Sequence, residues 1–318
     1  MKIFKFISSE LLMKKFKFLF IMVLFIPLTA CSFRRSEQVN LPLRVGLMPT
    51  MDSVAIATAY ELGFFEYHGV EVELIPFSSA SDRDAAFLAG ALDGATVDLI
   101  AVGLFNQGGF PTRATSVTTA HFSLIGQSQY TDLENLSGDT VMISNNTAID
   151  FVLDQMLAVH GLPHDHIVRA EVGNIPARFE MVRAGQAEAA LISEPFATMA
   201  TADGLSVISD TFQIDFNPFV LAFSLDVIQN RADELSAFYL AYNEAVDFLN
   251  SNPIDAHLDI IIDLIGFPEA VIHYIQLPTF LTSALPSDEV VNTAREWLIT
   301  RGLISEDTTI ESFTHEIQ

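Results

Sequence analysis

The chain has 318 residues, half of them hydrophobic, which is enough for two lobes with separate cores and too apolar for a disordered chain. Forty acidic against sixteen basic side chains give a formal net charge of −24, which argues against nucleic acid and against docking on anionic lipid headgroups. The single cysteine, Cys31, excludes a disulfide framework and a thiolate zinc site.

Lys14, Lys15 and Lys17 precede an apolar run from Phe18 to Pro27, followed by Leu28-Thr29-Ala30-Cys31. The run is too short for a comfortable membrane span, and the small residues before the cysteine fit the cleavage site of a lipoprotein signal peptide. Residues 1–30 are therefore expected to be removed and Cys31 lipidated, whether synthesis starts at Met1 or Met13, with 31–40 as a tether. A retained helix with an unprocessed cysteine is the alternative. Acyl chains contribute about 0.8 kcal/mol per buried CH₂, so a two-chain anchor is durable. From Cys31 onward there are eleven arginines, thirty-nine acids and no lysine, a formal charge of −28.

Leu43, Val45 and Leu47 alternate with Arg44 and Gly46, predicting a buried strand that reaches the corner Met48-Pro49-Thr50, with a helix leaving from Asp52 or Ser53. Val70, Val72 and Leu74 form the next strand. Ser78 to Ser81 make a polar corner, with Ser81 or Asp82 as cap of a helix that Gly90 ends. A strand over Gly94 to Leu99, a helix through Leu104 and a strand around 114–118 complete the first lobe. After an extended apolar segment, 120–126, the pattern begins again. Thr140 to Ile143 is a strand, 144–147 a polar corner, and Ala148 to His160 a helix for which Thr147 and Asp150 have capping-box spacing. A strand over 167–172, a helix over 177–184 and a strand over 189–192 lead to a helix opened by Glu194-Pro195.

Ala89 to Ala95 and Ala184 to Ala190 share A-G-x-x-[DE]-small-A, each between a helix and a buried strand. Glycine there closes the helix in a left-handed cap, and the acid is expected to face water. A second extended segment, 216–223, suits a return crossing. The remainder reads as helices over 233–250, 253–265, 269–277 and 287–301. Leu235, Phe238, Tyr239, Tyr242, Val246 and Leu249 form an apolar stripe assigned to core packing.

The run GLMPTMDSVAIATAYELGFFEYHGVEVEL with FLAGALDGATVDL, then LSGDTVMISNNTAIDFVLDQML, AGQAEAALISEP and ADELSAFYLAYNEAVDFLNSNP, resembles a family of ABC-transporter solute-binding proteins and lipoproteins. Its members take nitrate, taurine, alkanesulfonates and thiamine pyrimidine precursors. The resemblance implies an α/β, two-lobed type II periplasmic-binding-protein fold with two hinge crossings and a helical C-terminal tail. The first lobe is expected at 41–119 and 219–318, the second at 120–218. It also implies a monomer outside the membrane that closes on a small-molecule solute and hands it to ABC permease subunits.

Strand ends facing such a cleft supply the candidate contacts: Thr50, Met51, Asp52, Ser53; Ser78, Ser79; Thr96, Asp98; Asn145, Asn146, Thr147; Ser193, Glu194; and Asn217. Each corner also reads as an ordinary helix cap, and Glu194 chiefly as a helix entry. Asp52 and Asp98 beside the first corner favour a neutral or cationic nitrogenous solute such as an aminopyrimidine. An anionic solute (sulfonate, taurine or nitrate) is the alternative if Arg83, Arg113 or Arg178 folds in. His160, His164 and His166 are read as a hydrated loop, so no metal is expected. An enzyme forming the thiamine pyrimidine from pyridoxal phosphate needs an active-site lysine, which residues 31–318 lack, so neither enzyme nor cofactor is expected. A sensory or structural lipoprotein on the same fold stays open.

Overall fold

The computed structural model describes residues 41–214, 216–253, 256, 258–275 and 277–317. The signal peptide, Cys31 and the tether lie outside the described residues. Among the described residues, alternating apolar positions build ten strands in two five-stranded sheets. The first is ordered β2-β1-β3-β10-β4, from Leu43–Leu47 (β1), Val72–Pro76 (β2), Gly94–Asp98 (β3), Thr112–Val117 (β4) and Phe219–Ser224 (β10). The second is ordered β7-β6-β8-β5-β9, from Phe122–Gly126 (β5), Thr140–Ile143 (β6), Val168–Glu171 (β7), Ala189–Ser193 (β8) and Ser206–Asp210 (β9). In each sheet four strands run parallel and one, β10 or β5, inserts antiparallel between the third and the last.

The helices around the two sheets include Val54–Glu61 (α1), Ala80–Leu88 (α2), Leu99–Gln107 (α3), Ala148–Val159 (α4), Ile175–Arg183 (α5), Phe196–Ala202 (α6), Ala232–Ser251 (α7) and Asp288–Thr300 (α8). The stripe on α7 is core as read: Leu235, Phe238, Tyr242, Val246 and Leu249 are buried with β1 and α1 residues. Among the described residues no helix is long and apolar enough to cross a membrane.

Several local expectations need correction. The helix after β2 is capped by Ser79, not by Ser81 or Asp82. Ser79 Oγ accepts the Asp82 N–H at 3.2 Å and donates to its carboxylate at 2.7 Å, a reciprocal capping box. The tail helices are shorter, at Leu258–Asp263 and Glu269–Ile272. Strand β9 and the helix Leu225–Asn230 fall where no element is expected from sequence.

The acids of the internal repeat do not simply face water. Asp93 Oδ2 accepts the Arg44 N–H at 2.9 Å, and Glu188 Oε2 accepts the Thr140 N–H at 3.0 Å. Each acid therefore staples the start of its lobe's first or sixth strand, and the return bonds Asp93 N→Arg44 O and Glu188 N→Thr140 O close both rings. Gly90 and Gly185 have φ of 71° and 69°, the left-handed region in which a side chain is strained.

The two crossings between sheets are bonded to each other. Asn217 donates its amide to the Thr118 carbonyl at 2.7 Å and accepts the Phe219 N–H at 3.1 Å, while Thr118 N–H donates to the Phe219 carbonyl at 3.0 Å. Beside them, Thr211 N–H bonds the Phe122 carbonyl, and its hydroxyl accepts the Phe122 N–H at 3.1 Å. A further tie joins α8 to α4: Trp297 Nε1 donates to Asp154 at 2.7 Å, Arg301 reaches the same carboxylate at 2.5 Å, and its guanidinium lies 4.2 Å from the indole centroid.

Strand β10 passes β3 so closely at Gly94 that a Cβ there would stand 2.3 Å from the Phe223 ring. Phe223 is fully buried and packs edge-on against Phe238. Gly94→Ala is therefore expected to destabilise the protein by about 1–3 kcal/mol, measured by denaturant unfolding; an unchanged midpoint would show that the ring can give way.

Candidate functional site

The carboxyl ends of five parallel strands meet in one cleft. Met48, Thr50 and Asp52 follow β1; Ala80 and Arg83 follow β2; Val97 and Asp98 end β3. From the second sheet, Ser144, Thr147, Ala148 and Ile149 follow β6, and Gly173, Ile175 and Arg178 follow β7. The antiparallel strands contribute their amino ends, Phe122 and Phe219, whose rings stack at 4.8 Å and 14° as an apolar floor beside the crossings. The enclosed space between these residues is small, about 50 Å³. At the rim, Asn174 Nδ2 donates to Ser78 Oγ at 3.2 Å, and the Ile175 N–H reaches the Ser78 carbonyl at 3.4 Å.

Of the residues proposed from sequence, Thr50, Asp52, Asp98 and Thr147 line this cleft. The others are placed elsewhere. Met51 is buried in the first core, because the 3-10 turn Met51–Ser53 rotates it inward, and Ser53 Oγ accepts the Met48 N–H at 3.2 Å. Ser78 forms the rim and Ser79 caps α2. Thr96 sits mid-strand with its hydroxyl buried and unpartnered, as does the Ser193 hydroxyl at the end of β8. Asn145 and Asn146 are exposed, their N–H groups bonded to Glu171 at 2.5 Å and Asp150 at 3.3 Å. Glu194 accepts the Thr198 N–H at 3.1 Å in the first turn of α6, and Asn217 clips the crossings. His160, His164 and His166 are separately engaged by the Met156 carbonyl, Asp154 and the Leu133 carbonyl.

The cleft has two electrical poles. Asp52 is buried and receives the Thr50 hydroxyl; burial pushes its carboxyl up to about 6, with Thr50 and Arg83 pulling the other way. Asp98 is pushed upward by burial too, opposed by Arg83 and by backbone N–H groups of Ala101 and Ala148. Arg83 is committed: Nε and Nη2 bond Asp84 at 2.9 and 2.7 Å, and Nη1 bonds the Thr96 carbonyl at 2.9 Å.

The opposite pole is Arg178, on the first turn of α5 and only 1 % exposed. Its Nε and Nη1 have no hydrogen-bond partner, and burial pulls its pKa down to about 10 against the attraction of Glu171. Arg113 lies away from the cleft, bonded to the Thr112 carbonyl. An unpaired buried guanidinium is costly and is matched bidentately by a carboxylate or sulfonate.

Two lobes of equal strand order, joined by two crossings around a cleft at their strand ends, define a type II periplasmic-binding-protein fold. The chain belongs to the NMT1/THI5-like family, whose profile matches residues 50–256. A curated relative from Brachyspira hyodysenteriae, described as a candidate ABC transporter periplasmic binding protein, is 23 % identical over 231 residues, 66 % of each chain. The matched region thus spans just under two thirds of that relative. Among solved structures, the alkanesulfonate-binding protein SsuA from Xanthomonas axonopodis pv. citri, bound to MOPS, superposes with a TM-score of 0.75 at 16 % identity, covering 86 % of this chain and 98 % of that one. The nitrate-binding protein NrtA from Synechocystis PCC 6803 gives 0.69 at 15 % identity, covering 86 % of both.

The raised carboxyl of Asp52 has a consequence for stability. Its folded value of about 6 lies above the ordinary 3.8, so the folded state holds a proton that the unfolded chain releases, and stability falls as pH rises through that window. Asp52→Asn is expected to stabilise the empty protein at pH 8 by up to roughly 3 kcal/mol, the gain fading toward pH 4. Melting curves against pH check this; a destabilised variant at pH 8 would contradict it.

Proposed function

We propose that this chain is the extracytoplasmic solute-binding component of an ABC importer, and that its solute is a small organic molecule with an acid at one end and an amine at the other. The observation that carries the reading is Arg178, buried and unpartnered in the same cleft as Asp52. An acid neutralises the guanidinium and an ammonium neutralises the carboxylate, so such a solute removes two buried, uncompensated charges at once. The anionic cargo named for the SsuA and NrtA neighbours is in line with the Arg178 end. The preference drawn from sequence for a neutral or cationic compound rests on Asp52 and Asp98 alone; Arg178 moves the balance toward a solute of both signs.

The lobes of this reading comprise 41–119 with 219–318, and 120–218. Residues 1–30 are its signal peptide and Cys31 its lipid attachment, which holds the monomer beside its permease. It binds and releases its solute without chemistry.

Titration calorimetry of the full-length chain in detergent, with taurine, a short alkanesulfonate, a simple amine and an aminopyrimidine, tests this. Taurine-like compounds are expected to bind tightest, and at a hundred times the dissociation constant to add about 2.7 kcal/mol of stability. Arg178→Met should abolish that preference while leaving the empty protein at least as stable. Equal binding of an aminopyrimidine to both proteins would overturn the acid end of the reading.

Binding should also depend on pH with a defined sign. Asp52 sits near 6 in the empty site, and a bound ammonium lowers it. Affinity is therefore full above about pH 6 and falls by up to tenfold per pH unit below it, with proton release on binding near pH 6. A flat profile from pH 5 to 8 would remove Asp52 from contact with the amine.

A further inference from the structure

Helix α8 packs on the first sheet, where Val291, Ala294 and Leu298 are buried with Val97 and Val220. Helix α4 packs on the second, where Val152, Leu153 and Met156 are buried beside Val141 and Leu191. One residue of α4 departs from that arrangement. Phe151 is fully buried in the first sheet's core, edge-on to Trp297 at 5.4 Å and to Phe216 of the return crossing at 5.2 Å.

The acids on either side of Phe151 make a socket. Asp150, 2 % exposed, faces the Arg169 guanidinium of β7 at 3.2 Å, and Asp154 accepts from the same guanidinium at 2.6 Å. His164 Nδ1 stands 2.8 Å from Asp154 as well. With that imidazole neutral, two carboxylates on one guanidinium leave a negative charge over. Arg301, just past the end of α8, brings the balancing charge from the other lobe. Its Nη1 lies 3.3 Å from Asp150 and its Nη2 2.5 Å from Asp154, while Trp297 Nε1 donates to Asp154 at 2.7 Å. Asp150 also accepts the Asn146 N–H at 3.3 Å, so the network ends at the corner after β6.

Each half keeps partners when the lobes part. The acids retain Arg169, and the Arg301 guanidinium retains the indole face 4.2 Å away. Arg301 and Asp154 are 26 % and 15 % exposed, so water can enter the contact. None of Asp150, Asp154, Trp297 and Arg301 lines the cleft.

We propose that Trp297 and Arg301 form a latch on the Asp150–Asp154 socket of α4, which joins the lobes outside the cleft and biases the solute-free protein toward the closed state. The latch stands on the two-lobed fold and not on the solute assigned above. Closure is then shared between solute and protein, because contacts made only in the closed state raise its population before any solute arrives. Apparent affinity follows that closed fraction.

The test needs no solute. Spin labels are placed at Leu88→Cys on α2 and Glu180→Cys on α5, exposed positions on the two helices that start at the rim, in the full-length chain carrying Cys31→Ser. The protein is stripped of solute by unfolding and refolding in detergent, and the separation is read by pulsed electron paramagnetic resonance. The parent is expected to show mainly the short distance. Arg301→Gln should lower the ratio of short to long distances roughly tenfold. Trp297→Phe keeps a ring beside Phe151, deletes the N–H bond to Asp154 and should lower the ratio roughly threefold, which serves if Arg301→Gln does not fold. Arg295→Gln, on the same helix, removes a charge whose partners, the Thr308 and Glu306 carbonyls, lie in its own lobe, and should leave the distances as in the parent. A parent that is mainly open, folded latch variants as closed as the parent, or an Arg295→Gln protein as open as Arg301→Gln would each overturn the proposal.

Discussion

A guanidinium buried without a partner is the constraint around which the cleft is arranged. Removing such a charge from water costs several kcal/mol, and the protein leaves Nε and Nη1 of Arg178 in that state. Arg83, equally buried, shows the contrast: all three of its nitrogens find oxygen on Asp84 or Thr96. The difference lies in the strand ends. Arg83 follows β2 and folds back along its own sheet, whereas Arg178 follows β7 and faces the gap between sheets. Destabilisation concentrated at one point is what a binding protein needs if its solute is to shift the lobes toward closure, because only a difference in interaction between states moves an equilibrium.

The carboxylates complement this arrangement in graded fashion. Asp93 and Glu188 hold strands, Asp150 and Asp154 hold Arg169 and Arg301, and Asp98 caps α3. Asp52 has the Thr50 hydroxyl as its side-chain partner, and burial outweighs that bond and the pull of Arg83 to raise its carboxyl to about 6. An acidic chain thus commits most of its buried acids to architecture and keeps one in reserve at the cleft.

Much of the fold was legible because apolar alternation and glycine stops carry it locally. Leu43, Val45 and Leu47 declare a buried strand, and Gly90 and Gly185 declare two helix ends. Strand β9 was not legible, since Ser206-Val-Ile-Ser-Asp is short and half polar. The site was legible where a polar residue follows or ends a strand at a corner, as Thr50 and Asp52 do after β1, Asp98 at the end of β3 and Thr147 as the cap after β6. Arg178 gives no such signal: within Pro-Ala-Arg-Phe-Glu-Met-Val-Arg it is indistinguishable from Arg183, which is half exposed and pairs with Glu180. Which of the two is buried depends on how α5 lies on β6 and β8 beside the cleft. Likewise the partner of Asp93 is forty-nine residues away, beyond any local pattern.

The clip made by Asn217 bears on how the lobes separate. With its amide on Thr118 and its carbonyl oxygen on the Phe219 N–H, it fastens the outgoing ribbon to the returning one, and Thr211 repeats the fastening beside Phe122. Two ribbons held side by side resist sliding and twisting yet still bend together, so opening reduces to a single angular coordinate. A distance probe spanning Ser78 and Asn174 would then track the entire trajectory, and entry of the solute becomes a gate with one degree of freedom.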